Sequence, residues 1–348
     1  MREKMKAARF YKAKELLRIE EVPIPVLGPN EVLVEVKAAG LCGSDVHIIE
    51  GETFPGFTPI ILGHESAGVI AKVGEQVSQW KVGDRVCIDS ATTCGLCYNC
   101  LRGRDSVCLS RKFVGVQLDG GFARYVKVLP RNLIELPDSI SFEQGAILTD
   151  AVATPYHAIT KRAKLSIGET IAVFGLGGLG VHALQISKLM GAGLVIGVDV
   201  EESILSRALA FGADVVVDGI REDPVKRIKE LTEGYGVDVA LECIGKNLTV
   251  SQCVESVRVG GRAVIVGLGP ESIRIRPITE FVRGEIELIG SSAFEIKEIQ
   301  QIVQLVASGR LDLSRSVTRR ISLEEVNQGI DDLKTKRGNP IRILVTEI

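Results

Sequence analysis

No apolar run in this sequence reaches the roughly 20 residues that a membrane-spanning helix needs, so nothing argues for residence in a bilayer. Charge of one sign is missing too: 42 Lys and Arg stand against 44 Asp and Glu, a net charge of −2. That balance gives no electrostatic case for nucleic acid or an anionic membrane as partner. The first residues, MREKMKAARFYKAKE, are basic, but no apolar stretch follows them, so no secretory signal is expected. Internal repeats and low-complexity tracts are lacking as well. Cysteine is present, yet 8 thiols in 348 residues are too few for a disulfide scaffold. Clustered cysteines without a secretory signal point to metal ligands in a reducing compartment. The expectation is a soluble cytoplasmic protein long enough for two domains.

What is present falls into two textures. Up to about residue 150, short Val-rich runs (VLVEVKAAG, ESAGVIAKVG, DRVCID, FARYVKV) alternate with Gly and Pro and read as a mostly β region. From about Gly168 strands and helices alternate, as in α/β proteins with a parallel sheet. The strand-like runs TIAVFGLG, LVIGVD, ADVVVDG, VDVALECIG and GRAVIVGLG are separated by helix-compatible segments such as DPVKRIKELTEG. EIKEIQQIVQLVASG and SLEEVNQGIDDLKTK read as amphipathic helices, and IRILVTEI as a last strand.

Four cysteines, Cys94, Cys97, Cys100 and Cys108, sit in the turn-rich stretch TTCGLCYNCLRGRDSVC. Four thiolates closing one tight loop suit the tetrahedral, closed shell of a structural zinc, which by itself names no activity.

Gly175, Leu176, Gly177, Gly178, Leu179 and Gly180 follow a predicted strand and open a predicted helix. The first glycine permits a tight turn, the second lets backbone approach a pyrophosphate, and the third lets helix and strand pack closely. The helix N-terminus then faces the negative charge. Asp199 ends the next strand 19 residues beyond Gly180, where an acid accepts hydrogen bonds from the adenosine ribose. A carboxylate there repels a 2′-phosphate, so NAD is expected rather than NADP, although Arg207 follows eight residues later.

Cys42-Gly-Ser44-Asp45-Val-His47 follows VLVEVKAAG, and Gly63-His64-Glu65 comes just after Pro59-Ile-Ile-Leu. With the cysteine lobe and the glycine loop, these segments stand in the order of the zinc-dependent medium-chain alcohol dehydrogenases. The chain resembles that family over essentially its whole length. The resemblance implies a GroES-like, mostly β catalytic domain (residues 1–153 and 291–348, with the zinc lobe at about 90–112). A Rossmann domain with a doubly wound parallel sheet (154–290) would be inserted into it.

The resemblance also implies a second, catalytic zinc on Cys42 and His64, with Glu65 behind it and able to enter its shell. The best-known members supply a cysteine as third ligand. Here the matching stretch is Leu148-Thr-Asp150-Ala-Val-Ala-Thr154, and some relatives place a carboxylate there, so Asp150 is expected to be the ligand. A thiolate plus a carboxylate still neutralises Zn²⁺. The competing reading makes Asp150 a helix N-cap. Zinc at such a site lowers the pKa of an alcohol oxygen. Ser44 would take the hydroxyl proton and His47 would exchange it with solvent, while Thr154 packs against the nicotinamide. The family pattern pairs Asp45 with Arg342.

His157 and His182 read as structural, and Cys87, Cys243 and Cys253 as small core residues. The expected function is hydride transfer between an alcohol (secondary, cyclic or polyol) or its carbonyl product and NAD, with two zincs per chain. Polyol, butanediol or L-threonine 3-dehydrogenase is the alternative within the class; a retired NAD-binding protein and a zinc-free reductase are the rivals outside it. Members of this type are often homo-oligomers, tetramers more than dimers.

Overall fold

The computed structural model describes residues 3–348. The chain forms two compact units, one made of the residues up to Ala153 together with Ala293–Ile348, the other of Thr154–Ser292. Among the described residues no helix is long and apolar enough to cross a membrane.

The first unit is built mainly on antiparallel strands, with Val317–Ser322 and Arg342–Glu347 its parallel pair. In its seven-stranded sheet, Val32–Leu41 lies between Glu65–Val73 and the last strand, Arg342–Glu347. Leu133–Glu135, Arg85–Ile88, Tyr125–Val128 and Val317–Ser322 complete it. Val32–Leu41 is buried at most of its positions, so hydrophobic contact holds it on both faces and its register is firmly set. That register decides where the chemistry goes. Gly40 pairs with Glu65 and Leu41 with Ile343, so Cys42, His64, Glu65 and Arg342 arrive together at one end of three neighbouring strands. Gly40 is required there: a Cβ on it would lie 2.2 Å from the Glu65 Oε2.

The second unit is an all-parallel six-stranded sheet. Its spatial order is Val215–Asp218, Leu194–Asp199, Thr170–Phe174, Val237–Glu242, Val257–Ile265, Glu287–Gly290. Numbered along the chain this is 3-2-1-4-5-6, the doubly wound order. Strands covered on both faces must be largely apolar, which is why TIAVF and LVIGVD read as near-continuous runs with polar residues only at their ends. The connecting helices carry local signals as well. Asp223 caps Pro224–Leu231 by accepting the Val225 and Lys226 N–H groups, worth about 1 kcal/mol.

Beside the cysteine lobe, Asp89 is 5% exposed, and burial raises its carboxyl from the ordinary range to about 7. A folded-state value above the unfolded one means that folding takes up a proton, so stability from this group falls as pH rises from about 4 to 7. Asp89→Asn keeps an acceptor for the Ala91 N–H (2.8 Å) and removes the titration. Its advantage over the parent should grow across that interval and level off above it, on the order of 1–3 kcal/mol. Thermal melts of both proteins from pH 4 to 8 check this; a constant difference would contradict it.

Candidate active site

Cys42 closes the strand Val32–Leu41 and caps the helix Gly43–Glu50, while Asp45, three residues on, accepts the Cys42 N–H at 2.9 Å. This reciprocal cap fixes the thiol's direction. Asp150 lies on Leu148–Val152, a π-wound segment after the helix Phe142–Ile147. Such wide turns recur at functional sites because they re-aim a side chain. The Cys42 thiol lies 3.2 Å from Asp150 Oδ2, His64 Nε2 lies 3.7 Å from the same oxygen, and Ser44 Oγ lies 3.1 Å from His64 Nε2. One donor atom from each of Cys42, His64, Glu65 and Asp150 lies within 4.8 Å of the other three.

The electrostatics of this cluster favour a cation. Burial raises the Cys42 thiol and lifts Glu65 to about 8, with Arg342 opposing the rise at Glu65. At His64 burial works against the imidazolium, yet Asp45 and Asp150 outweigh it and the ring is pushed well up. A field that favours an extra proton on imidazole favours a divalent cation more. Glu65 is fully buried, and neither of its carboxylate oxygens has a well-aligned hydrogen-bond donor, although Arg342 Nη2 stands 3.0 Å away. Thiolate, imidazole and carboxylate together form a zinc donor set. The residues therefore fit a metal ion. Asp45 Oδ1 lies 3.5 Å from His64 Nδ1, so Nε2 is the ring nitrogen that faces Asp150.

The cysteine lobe fits equally well. Its sulfur–sulfur separations are 3.5 Å (Cys97–Cys100, Cys94–Cys108) and 4.0 Å (Cys94–Cys100, Cys97–Cys108). A tetrahedron with metal–sulfur bonds of about 2.3 Å has edges near 3.8 Å, whereas a disulfide needs about 2.05 Å. Backbone N–H groups from Cys100 and Leu109 hold the Cys97 thiol down to about 6.

In the second unit, Leu176 N–H donates to Asp199 Oδ2 at 2.7 Å, while Asp199 Oδ1 accepts from Val200 (2.8 Å) and Glu201 (3.2 Å). The acid is thereby locked beside the glycine loop. A Cβ on Gly180 would meet Gly175 O at 1.9 Å, a close approach only glycine allows, whereas one on Gly177 would meet nothing within 4 Å. The helix Gly180–Leu189 has no side-chain cap. Its N-terminal amides and the open ground over Gly177 are what a pyrophosphate requires.

Comparison with known proteins agrees. Residues 28–138 match the alcohol dehydrogenase GroES-like domain, and 178–308 the zinc-binding dehydrogenase domain. The sorbitol dehydrogenase of Bacillus subtilis (strain 168) is 34% identical over 98% of this chain and 97% of its own. The chain belongs to the zinc-binding alcohol dehydrogenase family. An alcohol dehydrogenase of Geobacillus stearothermophilus is 36% identical, covering 94% of this chain and 95% of its own. A Sinorhizobium meliloti 1021 dehydrogenase solved with NADP bound superposes with a TM-score of 0.92 at 32% identity, covering 99% of this chain and 100% of its own. This dehydrogenase therefore combines a GroES-like domain with a Rossmann-like one.

The structure brings Cys42, Ser44, His64, Glu65 and Asp150 into one cluster, and Cys94, Cys97, Cys100 and Cys108 into another. His47 sits in the last turn of Gly43–Glu50, and Thr154 is the first residue of the second unit. Two expectations need correction, and one competing reading falls. Arg342 does not pair with Asp45: its Nη2 reaches Glu65, Asp150 Oδ2 (3.7 Å) and Cys42 Sγ (3.9 Å). The Asp45 carboxylate is taken by the Cys42 amide and faces His64, so the nearer charge in the motif is not the partner. Asp150 is inside a helical segment rather than at its N-cap. Cys243 is half-buried, just past the carboxyl end of the strand Val237–Glu242, whereas Cys87 and Cys253 are core residues as expected.

Two residues escaped the sequence reading. Glu295 accepts the Asp105 (2.9 Å) and Ser106 (3.2 Å) N–H groups, tying the cysteine lobe to the helix Ile296–Ala307. The fully buried Glu242 accepts from the Ile244 and Gly245 amides (2.9 Å each) and the Thr249 hydroxyl (2.7 Å). It fixes a turn whose Ile244 side chain lies directly over Gly175. An acid ending a strand just before Cys-Ile-Gly was the available signal for Glu242; Glu295 had none.

Proposed function

We propose that Cys42, His64 and Asp150 hold a catalytic zinc with Glu65 behind it, and that Cys94, Cys97, Cys100 and Cys108 hold a structural one. The observation that carries this reading is the convergence of a thiol, an imidazole and two carboxylates in one buried cluster with Ser44 Oγ at its side. When bound, the catalytic zinc supplies a Lewis acid that acidifies the substrate hydroxyl, and the nicotinamide supplies the hydride acceptor.

The chain's own residues do the rest. Gly175, Gly177, Gly178, Leu179 and Gly180 take the pyrophosphate, Asp199 the adenosine ribose, and Thr154 packs against the nicotinamide. Asp45 holds His64 in one tautomer. Ser44 accepts the proton leaving the alcohol, and His47, whose side chain is 35% exposed, passes it to solvent. The first unit is thus assigned as catalytic domain and the second as NAD domain. The substrate is a secondary, cyclic or polyol alcohol. The B. subtilis sorbitol dehydrogenase, similar over nearly the whole chain, favours the polyol version. Eight free cysteines fit a reducing cytoplasm, and the open edge strand Glu287–Gly290 fits a homo-oligomer, a tetramer rather than a dimer.

The test is NAD and NADP reduction by zinc-loaded protein on primary, secondary and cyclic alcohols, sorbitol, butanediol and threonine. Turnover with NAD on sorbitol or butanediol supports the polyol version. Preference for NADP would overturn the role of Asp199. Two bound zincs with no turnover on any of these would overturn the substrate class.

A further inference from the structure

The helix Gly43–Glu50 ends at Gly51 in the left-handed region (φ 80°), and the chain turns back on its own last turn. The Glu52 and Thr53 N–H groups both donate to the His47 carbonyl, at 2.9 and 3.2 Å. This wrap lays the Glu52 side chain on the His47 ring, where its carboxylate meets Nδ1. The neighbouring acid, Glu50, is engaged elsewhere, with Lys334 at 2.7 Å. A carboxylate can only accept, so Nδ1 carries the proton and Nε2 of the neutral ring is left with the lone pair. Free imidazole side chains in water prefer the opposite tautomer.

We propose that Glu52 is a positioning residue for proton release: it holds His47 in the Nδ1–H tautomer so that Nε2 is the receiving atom. The inference rests on His47 being the relay. One proton leaves the alcohol oxygen by way of Ser44, enters at His47 Nε2, and leaves to solvent from the same imidazolium. The ring returns to its starting tautomer because Glu52 keeps Nδ1–H bonded throughout. Without that carboxylate the ring spends much of its time with Nε2 protonated and unable to receive. Both side chains are partly exposed (His47 35%, Glu52 46%), so substitutions there leave the core alone.

The first measurement is the ¹H–¹⁵N spectrum of the histidine rings in the zinc-loaded protein, where only 4 histidines need assignment. His47 should be Nδ1–H in the parent and mainly Nε2–H in Glu52→Gln. The second is the single-turnover rate of NAD reduction. His47→Ala should slow it about 10-fold or more, and Glu52→Gln about 3- to 10-fold with the alcohol KM unchanged. The solvent isotope effect should rise in Glu52→Gln, imidazole buffer should restore both variants, and Glu52→Asp should keep most of the rate. The double variant should be no slower than His47→Ala alone. An Nε2–H parent, a Glu52→Gln rate equal to the parent's while His47→Ala is slow, or a double variant showing the product of both losses would overturn the role of Glu52. An unaffected His47→Ala would overturn the relay itself.

Discussion

Arg342→Ala is expected to lose the catalytic zinc and about 3–5 kcal/mol of stability while the cysteine lobe keeps its metal. The Arg342 side chain is 4% exposed, and its Nη2 lies 3.0 Å from Glu65, 3.7 Å from Asp150 and 3.9 Å from the Cys42 sulfur. It is a permanent cation among three groups that become anionic. Burial by itself would lower its pKa, but Glu65, Cys42 and Asp150 together push it up instead. The converse holds for Glu65, whose rise to about 8 from burial is opposed first by Arg342. Without the guanidinium, buried Glu65 loses its principal counter-charge, and the Cys42 thiol, no longer drawn down by it, holds a proton that a metal must then displace. Metal analysis should fall from two zincs per chain towards one, and the thermal midpoint should drop. Arg342→Lys, which keeps charge but loses the fork, should fall between. Two retained zincs with an unchanged midpoint would overturn this account.

How much of this was legible differs residue by residue. The parallel sheet could be read because its central strands are covered on both faces and so are largely apolar, and the glycine loop announced the turn after Thr170–Phe174. Cys42 and His64 were legible as motifs, but nothing local says that Gly40 pairs with Glu65. Register is what makes the two motifs one site. The Asp45 error is instructive. Its place three residues after Cys42 is the spacing of a reciprocal helix cap, a local signal that competes with any distant arginine and here prevails. Arg342 pairs across about 300 residues through strand order alone, and Glu295 caps the lobe from about 190 residues away. Contacts made by topology leave no periodicity in a single sequence. Glu52 is intermediate: Gly51 marks the helix end, but which side chain the returning turn lays on His47 depends on its dihedral angles.

The largest expected effect on activity belongs to Asp150. Asp150→Ala should leave one zinc per chain and lower turnover at least about 100-fold, since a Lewis acid at the substrate oxygen is worth several kcal/mol of transition-state stabilisation. Asp150 Oδ2 lies 3.2 Å from the Cys42 sulfur and 3.7 Å from His64 Nε2, so it closes the donor triangle on a segment whose wide turn aims it there. Glu65 cannot replace it freely, because its carboxylate is held by Arg342. Asp150→Asn keeps size and a weaker oxygen donor but removes the charge that neutralises the ion, so it should bind zinc less tightly than the parent and better than Asp150→Ala. Asp150→Cys restores an anionic donor and should retain zinc, with altered rather than absent activity. Zinc content measured beside turnover separates the possibilities. If Asp150→Ala kept both zincs and most of its rate, Glu65 would be the third ligand and Asp150 a charge at the site's edge.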